Sequence, residues 1–313
     1  MAASPPFASL LLKLAAASFT TAVAFLAFRR HLRDETIAAL RRDIRASLLR
    51  MREDDAADGD PKPNRRGPPV VVIVGFPAHG KSSVVNTACR ALSGEGGPFL
   101  ARAEAGPSGP STGVKTRRVF RVAVADPDGG RKEKVKEADG DGEEDDGFPV
   151  VDLVDSPDLP EAAKMTQADV ERALSLVSPP PECALLVMKC AGPHRIVLRK
   201  LPEIAGVVRE KGLHLVVVLT HKNALRSMKE AEELRREVAL RVKSDCVYLM
   251  ENYTATGKGT IISNPSAFKN SFSTHCNILA IIRQCIEFAA MHRTHRQSKA
   301  KKLSNKTLCI RED

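Results

Sequence analysis

The sequence predicts an α/β fold in which a mostly parallel sheet carries helices on both faces. Short β-branched and apolar runs recur along the chain, as in VVVIV at 70–74, VVDLVD at 150–155 and LHLVVVL at 213–219. Segments with apolar residues at helical spacing separate these runs. Strands that alternate with helices form parallel sheets whose faces the helices cover.

Composition narrows the class of protein. The chain has 313 residues, of which 43% are hydrophobic and 27% charged, as in globular proteins. Its net charge of +10 favours an anionic partner, either a membrane surface, a nucleic acid or a nucleotide. The absence of Trp and the presence of only 2 Tyr argue against a stacking platform for single-stranded nucleic acid, so we expect no nucleic-acid partner. An odd number of cysteines, 7, without a C-x-x-C pair excludes a disulfide scaffold and favours a reducing compartment.

The first 30 residues predict a membrane anchor. Residues 7–28 carry one charge, Lys13, and are long enough to span a bilayer. Arg29, Arg30 and Arg33 follow directly, so the positive-inside rule places the rest of the chain in the cytosol, at an organelle outer membrane or an endomembrane. Three alternatives stay open: a cleaved secretory signal, a buried core helix, and a transit peptide that carries the domain into an organelle.

Residues 31–53 predict an amphipathic helix. Its apolar residues recur at helical spacing, and they are Ile37, Leu40, Ile44, Leu48 and Met51. We expect a stalk that continues the anchor and packs on the next domain, with a coiled-coil seam of a homodimer as the alternative. Residues 54–69 are rich in Asp, Pro and Gly and predict a linker.

Residues 70–292 predict one domain of alternating strands and helices. The expected strands are 70–74, 117–124, 150–155, 183–188, 213–219 and 247–250. The expected helices are 81–92, 196–211, 224–243 and 277–291. A hydrophilic insert at about 126–147 predicts disorder. The basic tail, 293–313, is either a solvated terminus or a contact with anionic lipid beside the anchor.

The segment GFPAHGKS at 75–82 matches the phosphate-loop pattern G-x-x-x-x-G-K-[ST], between an expected strand and an expected helix. Glycines let the backbone curl around phosphate oxygens, and the N–H groups of the helix N-terminus add positive potential. Lys81 can reach the β- and γ-phosphates, and the Ser82 hydroxyl can ligate Mg²⁺. The residues expected at the phosphates are Gly75, His79, Gly80, Lys81, Ser82 and Ser83.

Asp155 ends the expected strand VVDLVD. An acid at the tip of a buried strand near a phosphate loop can hold Mg²⁺ through water. A strand-terminal Asp that forms a turn with Ser156 and Pro157 is the alternative.

Taken in order, these segments resemble a P-loop GTPase domain of the translation-factor-related class, in its septin and AIG1-like branch. DSPDL at 155–159 is similar to the D-T-P-G-[LF] of that branch, and THKN at 220–223 is similar to its T-x-K-D. The pairing of THKN with ENYT at 251–254 also resembles the interferon-induced protein 44 group. The resemblance implies a mostly parallel G-domain sheet that binds GTP with Mg²⁺. It further implies that a threonine of the first switch, Thr116 or else Thr112, ligates the metal, and that the base is framed by Thr220, Lys222, Asn223 and Asn252.

Three residues depart from the family pattern. Asp158 replaces a glycine whose N–H would bind the γ-phosphate, and its carboxylate would repel that phosphate unless it faces away. Leu159 replaces the glutamine that orients the attacking water, so we expect slow or assisted hydrolysis. Asn223 replaces an aspartate that accepts two hydrogen bonds from guanine, which weakens the preference for guanine.

The sequence therefore predicts a membrane-anchored protein that binds a nucleoside triphosphate, with GTP expected, and hydrolyses it slowly or with help from a partner. Membrane lipids and a protein partner or activator are the expected partners. A catalytically degenerate G-domain that serves as a membrane scaffold is the first alternative. A P-loop kinase is the second, but the chain shows no Arg-rich lid, and THKN suits a base-reading loop better.

Overall fold

The computed structural model describes residues 6–57, 67–94, 118–128, 136–137, 149–175, 179–190, 192, 194–253 and 271–309. The side chains of residues 6–16, 56–57, 136–137, 194 and 300–309 are outside this description. Thr112, Thr116 and most of the hydrophilic insert therefore lie outside the described residues.

The described strands form one sheet in the order β3-β2-β4-β1-β5-β6-β7. Their bounds are β1 Val70–Gly75, β2 Arg118–Ala123, β3 Lys136–Glu137, β4 Val150–Asp155, β5 Cys183–Lys189, β6 His214–Thr220 and β7 Val247–Leu249. The five strands β4, β1, β5, β6 and β7 are parallel, whereas β2 pairs antiparallel with β3 and β4. The predicted, mostly parallel sheet is confirmed. The short edge strand β3 lies inside the insert for which the sequence predicted disorder.

Helices cover both faces of the sheet, as predicted. Their bounds are α1 Pro6–Ala57, α2 Lys81–Ser93, α3 Gln167–Ser175, α4 His194–Glu210, α5 Met228–Val242 and α6 Phe272–Cys309. In β1, Val71 and Ile73 pack toward α1, α2 and α6, while Val72 and Val74 pack toward α3, α4 and α5. A strand covered on both faces needs apolar side chains on both, which explains the continuous run VVVIV.

Helix α1 joins the predicted anchor and the predicted amphipathic segment into one element. Ile44, Leu48 and Met51 are buried in the core cluster that includes β1 and α6, and Ile37 and Leu40 pack against it. The prediction that this segment packs on the following domain is confirmed. The same apolar stripe that would have formed a coiled-coil seam faces the chain's own core. The helix also continues to Ala57 and so includes the first four residues of the predicted linker.

None of the helices whose residues are described is both long enough and apolar enough to cross a membrane. The described part of the structure therefore does not support the predicted membrane anchor at residues 1–30. The side chains of the first sixteen residues lie outside the description.

Helices α1 and α6 lie side by side and run in the same direction. The Arg33 guanidinium lies 5.4 Å from the centre of the Phe272 ring. Further along both helices, Asp43 Oδ2 lies 3.1 Å from Arg283 Nη1. Residue numbers therefore increase together along the contact, which defines a parallel pair.

A buried ion cluster closes the far end of this pair. Arg293 of α6 donates to Glu182 at 2.8 and 3.0 Å, to Asp55 of α1 at 2.6 Å and to the carbonyl of Gly67 at 2.9 Å. The side chains of Arg293, Asp55 and Glu182 are only 8%, 12% and 12% exposed. The cluster thus ties the end of α1, the segment before β1 and the start of β5 to α6.

Candidate functional site

Two glycines shape the loop between β1 and α2. A Cβ at Gly75 would lie 2.7 Å from the Val187 carbonyl oxygen of β5, so no side chain fits there. Gly80 has a φ of +85°, in the left-handed region, and its Cβ would lie 3.1 Å from Asn252 Nδ2. Helix α2 begins at the next residue, Lys81, and aims the free N–H groups of its first turn at the loop.

Lys81, Ser82 and Asp155 meet at the mouth of this loop. Lys81 Nζ donates to Asp155 Oδ1 at 2.7 Å, and Ser82 Oγ donates to Asp155 Oδ2 at 2.9 Å. A hydroxyl and a carboxylate both offer hard oxygen ligands. Mg²⁺ is usually bound by one or two such protein ligands, and phosphate oxygens and water molecules complete its coordination. The three groups therefore have the chemistry of a phosphate and Mg²⁺ site, as the phosphate-loop pattern predicts.

Asp158 and Leu159 follow β4 and differ in orientation. Asp158 Oδ1 lies 3.2 Å from Lys81 Nζ, so this carboxylate faces the loop instead of turning away. Leu159 is buried in the core, and its N–H donates to the Gly75 carbonyl at 2.9 Å. Leu159 therefore packs and has no means of orienting water.

Thr220 and Asn252, both expected to frame a base, contact the back of the loop. Thr220 is fully buried, and its hydroxyl donates to the His79 carbonyl at 2.8 Å. Asn252 Nδ2 lies 3.4 Å from the Gly80 carbonyl oxygen that accepts its hydrogen bond, while its buried Oδ1 has no hydrogen-bond partner among the described residues. Direct contact of Thr220 with a base is thus excluded, because its side chain is closed off and supports the loop.

Lys222 and Asn223 lie in a single 3₁₀ turn, Lys222–Ala224, directly after β6. The Asn223 backbone N–H donates to Glu251 Oε2 at 3.0 Å, which fixes the turn beside β7 and leaves the Asn223 side chain exposed. His221, which opens the turn with a φ of 58°, has a pKa lowered by burial and by Lys189, against the opposing effect of Glu251. Its ring is therefore largely neutral at neutral pH, which keeps a further positive charge off this edge.

The two remaining loop residues point inward. His79 Nδ1 accepts a hydrogen bond from the Lys189 N–H at 3.3 Å, and its ring lies 5.4 Å from that of Phe76. Ser83 is buried in the first turn of α2. Both residues thus make contacts within the protein and support the loop.

Sequence reasoning did not single out Lys189, His221 or Glu251, which surround the loop. Lys189 ends β5, His221 follows β6 directly and Glu251 lies two residues after β7. The carboxyl ends of parallel strands form the usual binding edge of an open sheet. Their position after three predicted strands was therefore a usable signal.

No protein-family model matches the chain, and no curated protein matches it. Among solved structures, a variant of the protein SsGBP is 14% identical, with 72% of this chain and 56% of that chain covered and a TM-score of 0.36. A GTP-binding protein from the hyperthermophilic archaeon Sulfolobus solfataricus, in complex with GDP, is 14% identical over 71% and 52%, with a TM-score of 0.35. A variant of Era from Aquifex aeolicus bound to GDP·AlF4− is 13% identical over 58% and 50%, with a TM-score of 0.34. The chain spans about half the length of these structures, and the scores are too low to assign it to a family.

Proposed function

We propose that the chain is a P-loop G-domain protein that binds GTP with Mg²⁺ and hydrolyses it slowly. The observation that carries the proposal is the convergence of Lys81, Ser82 and Asp155 within 2.9 Å at a loop where Gly75 admits no side chain. In this proposal Lys81 and the N–H groups of the α2 N-terminus bind the phosphates. Ser82 and Asp155 hold the Mg²⁺, which neutralises charge on the β- and γ-phosphates.

The turn after β6 is the proposed base-binding element. Lys222 and Asn223 lie at the edge of the site, with Asn223 exposed and its backbone fixed by Glu251. Asn252 Oδ1 supports a ligand that carries hydrogen-bond donors, because a buried acceptor without a partner costs free energy until a donor reaches it.

Slow turnover follows from the residues after β4. Leu159 is buried and Asp158 forms an ion pair with Lys81, so no described residue of this segment positions an attacking water. A protein partner that supplies the missing group in trans is part of the proposal. The Asp158 contact also favours the second candidate, a G-domain that binds nucleotide without turnover and serves as a scaffold.

The test is to identify the nucleotide that co-purifies with the full-length protein and then measure single-turnover hydrolysis. We expect a guanine nucleotide, released by acid and separated by chromatography, and a rate on the order of 10⁻⁴ s⁻¹ or below, as in small regulatory GTPases without an activator. Adenine nucleotide would contradict the base assignment. No binding even after incubation with GTP and Mg²⁺ would overturn the proposed function.

Base choice is tested by Asn223→Asp. A carboxylate accepts hydrogen bonds from both N1–H and the exocyclic amine of guanine, so we expect the ratio of GTP to ATP affinity to rise. A bidentate contact of this kind discriminates by about 1–3 kcal/mol, which corresponds to about 5-fold to 150-fold. Gln167→Glu, the same amide-to-carboxylate change on exposed α3, is the control and leaves the ratio unchanged. An unchanged ratio in Asn223→Asp would show that this side chain does not face the base.

We further propose that the start of α1 attaches the protein to a membrane, with the nucleotide domain in the cytosol. The support is the apolar sequence at 7–28, the basic residues after it, and the exposure of Phe19, Phe25 and Phe28 at 70%, 62% and 60%. An organelle outer membrane or an endomembrane fits this arrangement, and a transit peptide stays the alternative.

The membrane proposal predicts that the mature protein keeps its N-terminus and resists carbonate extraction. Protease added outside intact organelles should remove the nucleotide domain. Deletion of residues 1–30 should give a soluble protein that still binds nucleotide, because residues 17–30 are exposed and contribute nothing to the core. A mature N-terminus beyond Phe28, with the domain protected inside an organelle, would establish the transit peptide instead.

A further inference from the structure

The Lys81 ammonium has two carboxylate neighbours instead of one. Asp155 Oδ1 lies 2.7 Å from Nζ and Asp158 Oδ1 lies 3.2 Å from it, while the Lys81 side chain is only 8% exposed. An ammonium group has three donors, so these two acids occupy most of its capacity. A phosphate oxygen that approaches Lys81 therefore meets an acceptor already in place.

The backbone holds Asp158 in this position from both sides. On one side, Ser156 Oγ donates to the Ile73 carbonyl at 2.8 Å. On the other, the Leu159 N–H donates to the Gly75 carbonyl at 2.9 Å, and the Leu159 side chain is buried. Because the residues on both sides of it are fastened to β1, the backbone keeps Asp158 beside Lys81.

We infer that Asp158 is a built-in competitor of the terminal phosphate, which makes the site prefer a nucleoside diphosphate to a triphosphate. The inference rests on the proposed function. The diphosphate is held by the loop N–H groups, the α2 N-terminus and Lys81. The γ-phosphate adds negative charge next to a fixed carboxylate and requires the Lys81 contact that Asp158 holds.

The test compares affinities for GDP and for a non-hydrolysable GTP analogue, both with Mg²⁺, in full-length protein. In Asp158→Asn we expect the analogue to bind about tenfold more tightly, since the loss of one charge-assisted hydrogen bond to a competitor frees Lys81. GDP affinity should rise less than the affinity for the analogue, because GDP places no γ-phosphate beside Asp158.

Two matched variants serve as controls. Asp158→Glu keeps the competing carboxylate and should keep the preference for GDP. Glu161→Gln removes one negative charge from an exposed side chain three residues away and should also leave the affinity ratio unchanged.

The outcomes separate the inference from the proposed function. If wild type prefers the triphosphate analogue, or if Asp158→Asn leaves the affinity ratio unchanged while both nucleotides bind, the inference is wrong and the proposed function stands. If neither nucleotide binds wild type or any variant, the proposed function fails and the inference with it.

Discussion

Replacement of Lys81 by alanine is expected to abolish binding of the triphosphate. Lys81 would form at least two charge-assisted contacts with phosphate oxygens, so its loss should lower the affinity by at least about a hundredfold. The measurement is a titration of the variant with a fluorescent GTP analogue, with the exposed Lys164→Ala as control. A variant that binds as tightly as wild type would overturn the phosphate-loop proposal.

The same substitution should also lower stability, which the sequence did not predict. Lys81 was expected to reach the phosphates, and its side chain is in addition buried between Asp155 and Asp158. Without the ammonium, two carboxylates face each other with little water between them. The double variant Lys81→Ala, Asp158→Asn should therefore be more stable than Lys81→Ala alone while still failing to bind the triphosphate.

Arg293→Ala is expected to lower the free energy of unfolding by about 3–5 kcal/mol, because it leaves two buried carboxylates without their counter-ion. Asp55 and Glu182 both lose a partner, and the Gly67 carbonyl loses a donor. Denaturant unfolding of the full-length protein measures the change, and Arg296→Ala, an exposed arginine on the same helix, should change stability little. A loss no larger than that of Arg296→Ala would show that the cluster does not hold the helices together.

The effect of Arg293→Ala should depend on pH. Burial raises the pKa of Glu182, and Arg293 acts against that rise. In the variant, the pKa of Glu182 in the folded protein therefore rises further above its value in the unfolded chain. At a pH between these two values, the folded protein binds more protons than the unfolded chain. Stability then falls as pH increases through this interval. The deficit relative to wild type should be smaller at about pH 5 than at about pH 7.5.

The sheet and the phosphate loop could be predicted because their signals are local. A few adjacent residues are enough to predict each strand or turn, as in VVVIV, GFPAHGKS and VVDLVD. The parallel arrangement of the strands then brings Lys81 and Asp155 to the same edge of the sheet. The nine-residue helix α3 and the two-residue strand β3 were missed because such short elements leave almost no periodic pattern.

Contacts between distant segments could not be predicted from local patterns. The apolar stripe of α1 indicated a helix that packs, but not that Ile44 and Leu48 would meet α6, more than two hundred residues later. The burial of Thr220 behind the loop and the direction of Asp158 depend likewise on where β1, β4 and β6 lie in the sheet. A motif defines which residues follow a strand, and tertiary packing decides which way their side chains point.

Because α1 and α6 run in the same direction, the two ends of this helix pair differ in chemistry. The rise of an α-helix places Phe28 about 40 Å from Asp55, and α6 extends about 24 Å beyond Arg293 on the opposite side. The apolar start of α1 and the basic end of α6 therefore lie roughly 60 Å apart, at opposite ends of the helix pair. A bilayer that receives the first end need not lie within reach of the second. A pair that stands upright on that bilayer would hold its basic end in the surrounding solution and act as a spacer between two separate surfaces. This arrangement fits the solvated terminus, and a lipid contact of the tail beside the anchor stays a prediction.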